Sequence, residues 1–573
     1  MSKEVINMIE FKESKFYKLL QDFFINNNKE TFLQMLAEFY NRTEGIINKN
    51  NIQDEVIKEL REMFLQFNNE GIDENIVREK VNYFLENNEK ISDIKLKLNT
   101  KASKNELNSL NSEMRNELNS LNSEMKNELN SLNSEMKNEL NLLSFNRYGD
   151  IDLPSDFYNN INFRIYRGVD GKINHNFNID NVINGWRTIY ISEDGNDTNN
   201  GDTPEKPKKT LNSVFDKINA ISENNIIIKI LSPLLTRNNS NVSTTNRIIN
   251  KNIAIVSDTE TNIGSIETPL SWTKNGNCYQ TTRSAVSDVW DKKNRDFSNK
   301  PVQYKKVRTL AECQNTKGSW CLEGTTLYIR RLDDLSIDND IMVLLQTGSL
   351  MFDLQSDVKL IFKNVNFLCT HDINPNVKIY SSNNIGHFIG VNSNFLGSQT
   401  MNGLQIENIK HSWLFNCGAI GTMRDGFNYH NYLGYGNYSF AFEFNCVGYN
   451  NGIRDINNNN NNSTTAHDGY NILRIGCIGF NTKGPVLADV NGCYSINYDC
   501  TMYDSFLNGT PEVKSAYWFD DAGVTGKTGK SYLINCSGGG KETKGINTDG
   551  LAKVNIHNFK GNNVNTSVLN YLE

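Results

Sequence analysis

Residues 412–421, SWLFNCGAIG, contain the pattern that decides the fold: a short apolar run that ends in asparagine and cysteine. The same pattern recurs at 440–449, 471–480, 495–503 and 532–540, as FAFEFNCVGY, NILRIGCIGF, SINYDCTMY and YLINCSGGG. With Asn366-Phe367, Asn394-Phe395 and Asn558-Phe559 added, the second members of the pairs lie 28, 22, 29, 31, 23, 36 and 23 residues apart. A minimum near 22 with loop-sized excesses is typical of stacked rungs in a solenoid.

Stacking at the β-strand spacing of about 4.8 Å predicts that these Phe and Cys side chains lie above one another in the interior. The Asn residues would then form an amide ladder at the corners. The ten cysteines include no CxxC pair, so neither a disulfide framework nor a zinc site is expected. We therefore predict free, buried cysteines that behave as small apolar residues. Chance recurrence in an Asn-rich chain is the alternative interpretation of the ladder.

The segment from Arg187 to Ile218 reads RTIYISEDGNDTNNGDTPEKPKKTLNSVFDKI. Its strand, its DGNDxNxG turn and its PxKTL helix resemble the first rung of pectate-lyase-like proteins. This resemblance implies a mainly β fold, a right-handed parallel β-helix, over residues 187–573. The repeated pattern of short strands cannot be recognised between about residues 235 and 345, where the sequence predicts an inserted lobe of antiparallel hairpins.

An eleven-residue unit, KNELNSLNSEM, repeats from Lys104 onward. Its apolar residues are spaced 3, 4 and 4 apart, a hendecad period that keeps the apolar stripe nearly straight along a helix. One helix cannot bury such a stripe, so residues 101–146 are predicted to form a coiled-coil stalk between copies of the chain. The core positions are Leu and Met and do not fix the number of copies. A single solvated helix is the alternative.

The first hundred residues have helical periodicity, interrupted by Asn and Gly, and are predicted to form a helical attachment region. Their mixed charges argue against the alternative, amphipathic helices on a membrane surface. Residues 147–186 are irregular and polar and are predicted to be a neck or linker. The chain has no apolar run long enough to span a membrane and begins with charged residues rather than a signal peptide, so synthesis in a cytoplasm is expected. A net charge of -7 argues against a nucleic-acid partner.

A helical head, an oligomeric stalk and a parallel β-helix together resemble a bacteriophage tailspike or tail fibre. The resemblance implies a homotrimer in the virion, attached to tail or baseplate proteins through residues 1–100. It further implies recognition, and often cleavage, of a glycan on the bacterial surface. The Asn- and Lys-rich composition indicates a low-GC Gram-positive host, whose wall teichoic acid or capsule would be the target. A non-enzymatic receptor-binding fibre and a bacterial surface β-helix protein are the alternatives.

Three segments carry the candidate chemistry: GTMRDGFNYH at 421–430, STTAHDGYN at 463–471 and LADVNG at 487–492. Asp468 lies 9 residues before Cys477 and Asp489 lies 11 before Cys500, which predicts similar positions on adjacent rungs. Two such carboxylates can divide acid and base roles in glycoside hydrolysis, and a histidine can act as a general base near neutral pH. The predicted catalytic residues are Asp425, His430, His467, Asp468 and Asp489. The predicted substrate-binding residues are Arg424, Tyr429, Trp518, Asp520 and Asp521.

Other interpretations of these segments remain open. Asp-Gly is a turn signal, and Asp549-Gly550 occupies a comparable place without a histidine. The site could therefore bind without cleaving, or its aspartates could serve only as turn residues. The catalytic residue sets of the resembled enzymes cannot be placed here, so hydrolase and lyase chemistry both stay open. No cofactor is expected, with a divalent cation such as calcium as the alternative.

We predict that the hendecad stripe holds the chains together. Replacing Leu118 and Leu129 with Asp puts charges into the stripe and should dissociate the oligomer while β-rich circular dichroism is largely retained, because each solenoid buries its own core. Light scattering at micromolar protein measures the mass. A wild-type protein that is already monomeric there would contradict the predicted stalk.

Overall fold

The computed structural model describes residues 149–571, except for 152, 155–156, 158, 169, 242–245, 269, 372, 433–438, 454–460, 506–513, 522–528, 541–542, 550–551 and 562–568. The predicted attachment region, residues 1–100, and the predicted stalk, residues 101–146, lie outside the described residues. No helix in the described part of the chain is long and apolar enough to cross a bilayer.

The described chain is mainly β, with long parallel sheets of the parallel β-helix type, which confirms the predicted fold class for this part. One rung passes through three strands, which we assign to sheets A, B and C in that order. Each strand pairs in parallel with its equivalents in the rungs before and after it. The nine strands of sheet A are Arg247–Ile249, Leu350–Leu354, Val377–Tyr380, Leu404–Glu407, Phe427–His430, Thr464–Ala466, Leu487–Val490, Ser515–Asp520 and Lys544–Asp549.

Sheets B and C share two long strands, Asn252–Gly264 and Lys359–Leu368, whose two halves belong to different sheets. The other strands of sheet B are Arg187–Ile191, Asn225–Ile230, His387–Val391, His411–Phe415, Phe440–Phe444, Asn471–Ile475, Tyr494–Tyr498, Lys530–Ile534, Lys553–His557 and Leu569–Tyr571. The other strands of sheet C are Leu234–Leu235, Asn394–Leu396, Gly418–Ile420, Val447–Tyr449, Ile478–Thr482, Thr501–Ser505, Ser537–Gly539 and Lys560–Gly561.

One residue in a left-handed conformation makes the corner between sheets B and C in each of eight successive rungs. Asn and Asp enter this region more readily than other non-glycine residues, and Gly enters it freely, which explains the composition of the column. Side-chain amides bridge some of these corners, as between Asn416 and Asn392 at 3.2 Å. The corner residues, with φ between 49° and 62°, are Asn364, Asn392, Asn416, Asn445, Gly476, Asp499, Asn535 and Asn558.

The predicted ladder is wrong by two residues at its first two rungs. Val391 pairs with Phe415, so the corner before Asn416 is Asn392 and the rung is 24 residues long rather than 22. Asn394 belongs instead to sheet C, where its Nδ2 donates to Asn366 Oδ1 at 2.5 Å in a second asparagine ladder. The two ladders look alike in sequence because each places Asn before an inward-facing residue. The inner column at this corner is therefore made of Cys417, Cys446, Cys477, Cys500 and Cys536, while Phe367 and Phe395 form a column of their own.

A helix, Leu211–Ala220, covers the N-terminal end of the rungs. Thr210 caps it, since its side chain accepts from the Ser213 amide. Leu211, Val214 and Ile218 pack into the interior core formed by the three sheets. The helix closes the apolar interior at the end where stacking stops. A second short helix, Arg237–Ser240, follows in the next rung.

Residues 149–186, expected to be a neck, lie along the outer face of sheet B. This N-terminal segment contains strands Gly149–Asp150, Ile165–Arg167 and Ile173–His175 and the helix Ile179–Ile183. Its apolar side chains pack against the outward-facing residues of sheet B, for example Phe177 stacked on Phe415 with ring centroids 4.5 Å apart. The segment is thus part of the β-helix surface.

The inserted lobe begins at Ile266 rather than near residue 235, because 247–264 form rung strands. It has two sheets, which are antiparallel except for the parallel pairing of Lys305–Lys306 with Ser319–Glu323. Trp290, Met342 and Leu344 pack on the outer face of sheet C. Its strands are Ile266–Glu267, Thr273–Asn275, Cys278–Thr282, Val286–Arg295, Pro301–Gln303, Lys305–Lys306, Ser319–Glu323, Thr326–Arg330 and Ile341–Leu345, and its helix is Leu310–Asn315.

All ten cysteines are buried with free thiols. A thiol in the interior of the β-helix is out of reach of reagents in solution until the protein unfolds. We expect Cys417, Cys446 and Cys477 to resist thiol reagents in the native protein and to react once it is denatured. Mass spectrometry after alkylation measures this. Rapid native labelling of all three would contradict the interior column.

Candidate functional site

Side chains of sheet A alternate between the interior and an outer face. Phe427 and Tyr429 point into the core, so their neighbours Asn428 and His430 point outward. Because the strands of sheet A pair in parallel register, the outward-facing residues of successive strands form two columns along the sheet. One column contains Met351, Lys378, Gln405, Asn428, Thr465, Ala488, Trp518 and Asn547. The other contains Asp353, Tyr380, Glu407, His430, His467, Val490, Asp520 and Asp549.

Three aromatic rings stack on this face. The His430 ring lies parallel to the His467 ring, with centroids 4.1 Å apart, and parallel to the Tyr432 ring, with centroids 4.7 Å apart. Both neighbours stack within van der Waals distance, so they occupy opposite faces of His430. Tyr432 is 59% exposed, and its partial burial and the neighbouring Glu407 raise its pKa to about 12, so its hydroxyl stays protonated at neutral pH.

Asp468 holds His430 from the adjacent rung. It sits in a left-handed turn after its sheet A strand, and its Oδ2 lies 3.2 Å from His430 Nδ1. Its Oδ1 accepts from Asn491 Nδ2 at 3.0 Å. Burial disfavours the charged carboxylate, but these hydrogen bonds outweigh it and hold the pKa of Asp468 below its ordinary value. A carboxylate that accepts from Nδ1–H leaves the lone pair of His430 on Nε2.

His467 is a supporting ring rather than a proton carrier at neutral pH. Burial and the neighbouring His430 lower the pKa of His467 to about 3. Its Nε2 lies 3.0 Å from Thr465 Oγ1, which fixes the ring plane beneath His430. The stack therefore restrains His430 from both sides while Asp468 sets its tautomer.

Asp425 lies at the other end of the sheet A strand, just before Phe427. Its oxygens accept from the Asn462 amide and from Asn428 Nδ2, both at 2.8 Å. Burial raises the pKa of Asp425 to about 6, although these hydrogen bonds oppose the rise. Asp425 thus lies where the chain enters its sheet A strand, and Asp468 lies where the chain leaves the next strand of the same sheet.

Asp489 and Tyr429 are not on the outer face, which corrects two of the predicted positions. Asp489 points into the interior, where it holds Arg474 through two hydrogen bonds of 2.8 and 2.9 Å. Tyr429 also points inward, and its hydroxyl donates to Glu443 at 2.9 Å. Burial raises the pKa of Glu443 to about 7. These residues form a buried polar cluster in the β-helix core.

The register explains this error. Ala466 pairs with Asp489, so the residue equivalent to Asp468 is Asn491. The prediction aligned Asp468 with Asp489, two residues before its true equivalent. Those two residues separate a position in the turn after the strand from a position in the core. The pairing of Asp468 with Asp489 as acid and base in one groove is therefore not supported by this geometry.

The remaining predicted residues occupy separate places. Arg424 is exposed beside Asp425. Trp518 is half-buried on the outer face, three rungs beyond Asn428, and its Nε1 donates to Asp549 Oδ2 at 2.7 Å. Asp520 is in the same column as Asp549, and Asp521 is buried at the strand end. Asp549 therefore contacts a predicted binding residue, although its Asp-Gly pair has no histidine beside it.

Sequence reasoning missed Tyr432, Asn491 and Thr465. Thr465 lies two residues before His467, and residues two apart along a strand share a face. Tyr432 lies two residues after His430, in the turn that follows the strand. Asn491 could have been found only by aligning rungs on the correct corner. Among the described residues, no group of three His, Cys, Asp or Glu side chains has metal-binding geometry.

Comparison with known proteins finds no related sequence and weak likeness to a few solved structures. No protein-family model matches the chain, and no curated protein matches it. A solved structure titled glycoside hydrolase shares 10% identity, with 66% of this chain and 97% of that chain covered and a TM-score of 0.39. Pectate lyase Pel9A shares 13%, with 64% and 78% covered and a TM-score of 0.29. The tailspike protein gp49 from Pseudomonas phage LKA1 shares 13%, with 63% and 70% covered and a TM-score of 0.23.

The different placements of Asp489 and Asp468 predict different effects on stability. Asp489→Asn leaves the buried Arg474 without its bidentate partner and should lower the free energy of unfolding by about 3 kcal/mol. Asp468→Asn, at a partly exposed turn, should cost about 1 kcal/mol or less. Urea unfolding followed by circular dichroism compares the two. Equal losses would contradict the interior placement of Asp489.

Proposed function

We propose that this chain is a phage tail spike built on a right-handed parallel β-helix, which binds a bacterial surface glycan on the outer face of sheet A and cleaves it. The observation that carries the proposal is the His430–Asp468 pair, set between aromatic rings on a face rich in hydrogen-bonding side chains. Residues 1–100 would attach the spike to the tail or baseplate, and residues 101–146 would join three copies. It would be made in the host cytoplasm and act at the surface of the next bacterium.

His430 is the proposed proton-transfer residue. Asp468 accepts from its Nδ1, so Nε2 can take a proton from a sugar carbon or from an attacking water. Tyr432 keeps its hydroxyl proton near neutral pH and lies against His430, where it can donate a hydrogen bond to a sugar oxygen. With Asp489 in the interior, cleavage here depends on histidine rather than on a pair of exposed carboxylates.

The charge of the face favours a neutral or amino-sugar polymer over a phosphate-rich one. The two outward columns contain four carboxylates, Asp353, Glu407, Asp520 and Asp549, and one ammonium group, Lys378, which pairs with Glu407 at 2.8 Å. Asp468 adds another negative charge beside the histidines. A polyanion such as wall teichoic acid would meet like charge along this path, so a neutral capsule is the better fit.

Trp518 extends the proposed binding path. Its indole is held by Asp549 and lies about 14 Å from the His430 rung, at three strand spacings along the sheet. An aromatic ring fixed at that distance can pack against a sugar ring of the same polymer chain. The path therefore runs along the axis of the stacked rungs.

A binding-only receptor spike is the second candidate function. The observation that favours it is that Asp425 and Asp468 are both engaged by neighbouring side chains in the turns that they form. In that case the same face would bind glycan without turnover.

We expect Asp468→Asn to slow depolymerisation at least about a hundredfold, because the amide cannot stabilise a protonated His430. Attachment to bacteria should be retained, since many contacts along the face share it. The assay incubates the full chain with neutral capsule and with wall teichoic acid purified from bacteria that it binds. New reducing ends without a new ultraviolet chromophore indicate hydrolysis, whereas an unsaturated product indicates elimination.

The matched control is Asp353→Asn, which removes a carboxylate from the same outward column three rungs from His430. It should cleave at the wild-type rate. Binding by wild type with no product from any polymer would support the binding-only spike. Equal cleavage by wild type and Asp468→Asn would contradict the proposed role of the His430–Asp468 pair.

A further inference from the structure

A second histidine pair lies on the outer face of sheet B, away from the proposed glycan path. His387 and His411 pair in register on adjacent rungs, and their Nδ1 atoms are 3.0 Å apart. Both rings are partly buried, at the place where Asn160 of the N-terminal segment meets the sheet.

The outer nitrogen of each ring already has an oxygen partner. His387 Nε2 lies 3.0 Å from Asp357 Oδ1, and His411 Nε2 lies 2.8 Å from Asn160 Oδ1. A carboxylate and an amide oxygen can only accept, so these contacts suit the tautomer that carries its proton on Nε2 in both imidazoles. In that tautomer both Nδ1 lone pairs face each other across the 3.0 Å contact.

Two facing lone pairs at this distance need a positive centre between them. A metal ion that accepts both lone pairs is such a centre. Metal-binding histidines typically donate their other ring N–H to a carboxylate or carbonyl oxygen, which is the arrangement of Asp357 and Asn160.

We propose that His387 and His411 bind a divalent late transition metal, represented by Zn²⁺, through their Nδ1 atoms. Imidazole nitrogen is a preferred ligand of Zn²⁺, Ni²⁺ and Cu²⁺ and a poor one for Mg²⁺ and Ca²⁺. Two Zn–N bonds of about 2.0 Å at a tetrahedral angle place the nitrogens about 3.3 Å apart, with the ion off the line that joins them. The rings therefore need to separate by a few tenths of an ångström and each to tilt by about 35° towards the ion. No third His, Cys, Asp or Glu of the described chain completes the set, so water fills the other positions.

The neighbouring charges determine how strongly the proposed site is expected to bind a metal ion. Asp357 favours a cation here, whereas Lys359 and Lys410 disfavour it. The site has two protein ligands and neighbouring charges of both signs, so it should bind Zn²⁺ more weakly than a structural zinc site with four protein ligands. Because Asn160 belongs to the N-terminal segment, a bound ion would also strengthen the attachment of that segment to sheet B.

Isothermal titration of the chelator-treated full chain, without an affinity tag, with Zn²⁺ alone tests the proposal. We expect a site that His411→Gln and His387→Gln each weaken at least about tenfold. Asp357→Asn, which alters only the partner of Nε2, should weaken it by about tenfold as well. Mg²⁺ should not compete. Cu²⁺ bound in its place should show nitrogen hyperfine splitting in its electron paramagnetic resonance spectrum.

The matched controls are His557→Gln, on sheet B but distant from the pair in sequence, and His467→Gln, in the sheet A stack. Both should leave Zn²⁺ binding unchanged, and circular dichroism checks that every variant is folded. Absence of Zn²⁺ binding by the wild type would overturn the proposal. So would loss of binding in His467→Gln with retention in both His411→Gln and His387→Gln, which would place the ion on sheet A.

Discussion

The column of left-handed corner residues is the constraint on which the rest of the structure depends. Each corner turns the chain from sheet B into sheet C at the same place in eight successive rungs, with φ between 49° and 62°. Because the corner is fixed, the parallel strands stay in register, and this register determines whether each side chain faces the interior or the outside. Asparagine makes this conformation at low cost and also bridges neighbouring rungs through its amide.

That register separates two polar clusters that resemble each other in sequence. Glu443, Arg474 and Asp489 point inward and satisfy one another in the core, where an unpaired charge would be strongly destabilising. His430 lies one residue from Tyr429 in the alternation and reaches the outer face, whereas Asp468 lies in the turn after its strand, two residues beyond the position equivalent to Asp489. The same residue types thus stabilise the fold on one side of a strand and offer proton transfer on the other.

The three faces of the β-helix are used differently. The N-terminal segment covers sheet B with a layer of aromatic and aliphatic side chains, and the lobe packs on sheet C. Sheet A carries the histidine stack, Trp518 and most of the outward carboxylates. The residues proposed to bind and cleave glycan therefore lie on the sheet whose outer residues are polar, and His387 and His411 lie where the N-terminal segment meets sheet B.

The sequence by itself determined the mainly β solenoid, the free cysteines and the segments that hold His430, His467 and Asp468, because these depend on local patterns repeated along the chain. It also placed the lobe, although not its first residue. Only the tertiary structure decided which Asn is a corner, that Asp489 and Tyr429 face inward, and that Tyr432 stacks on His430. The reason is physical: alternation has a period of two, so a shift of one or two residues in the assumed register changes what a side chain contacts, and register is set by pairing between rungs rather than by any single segment.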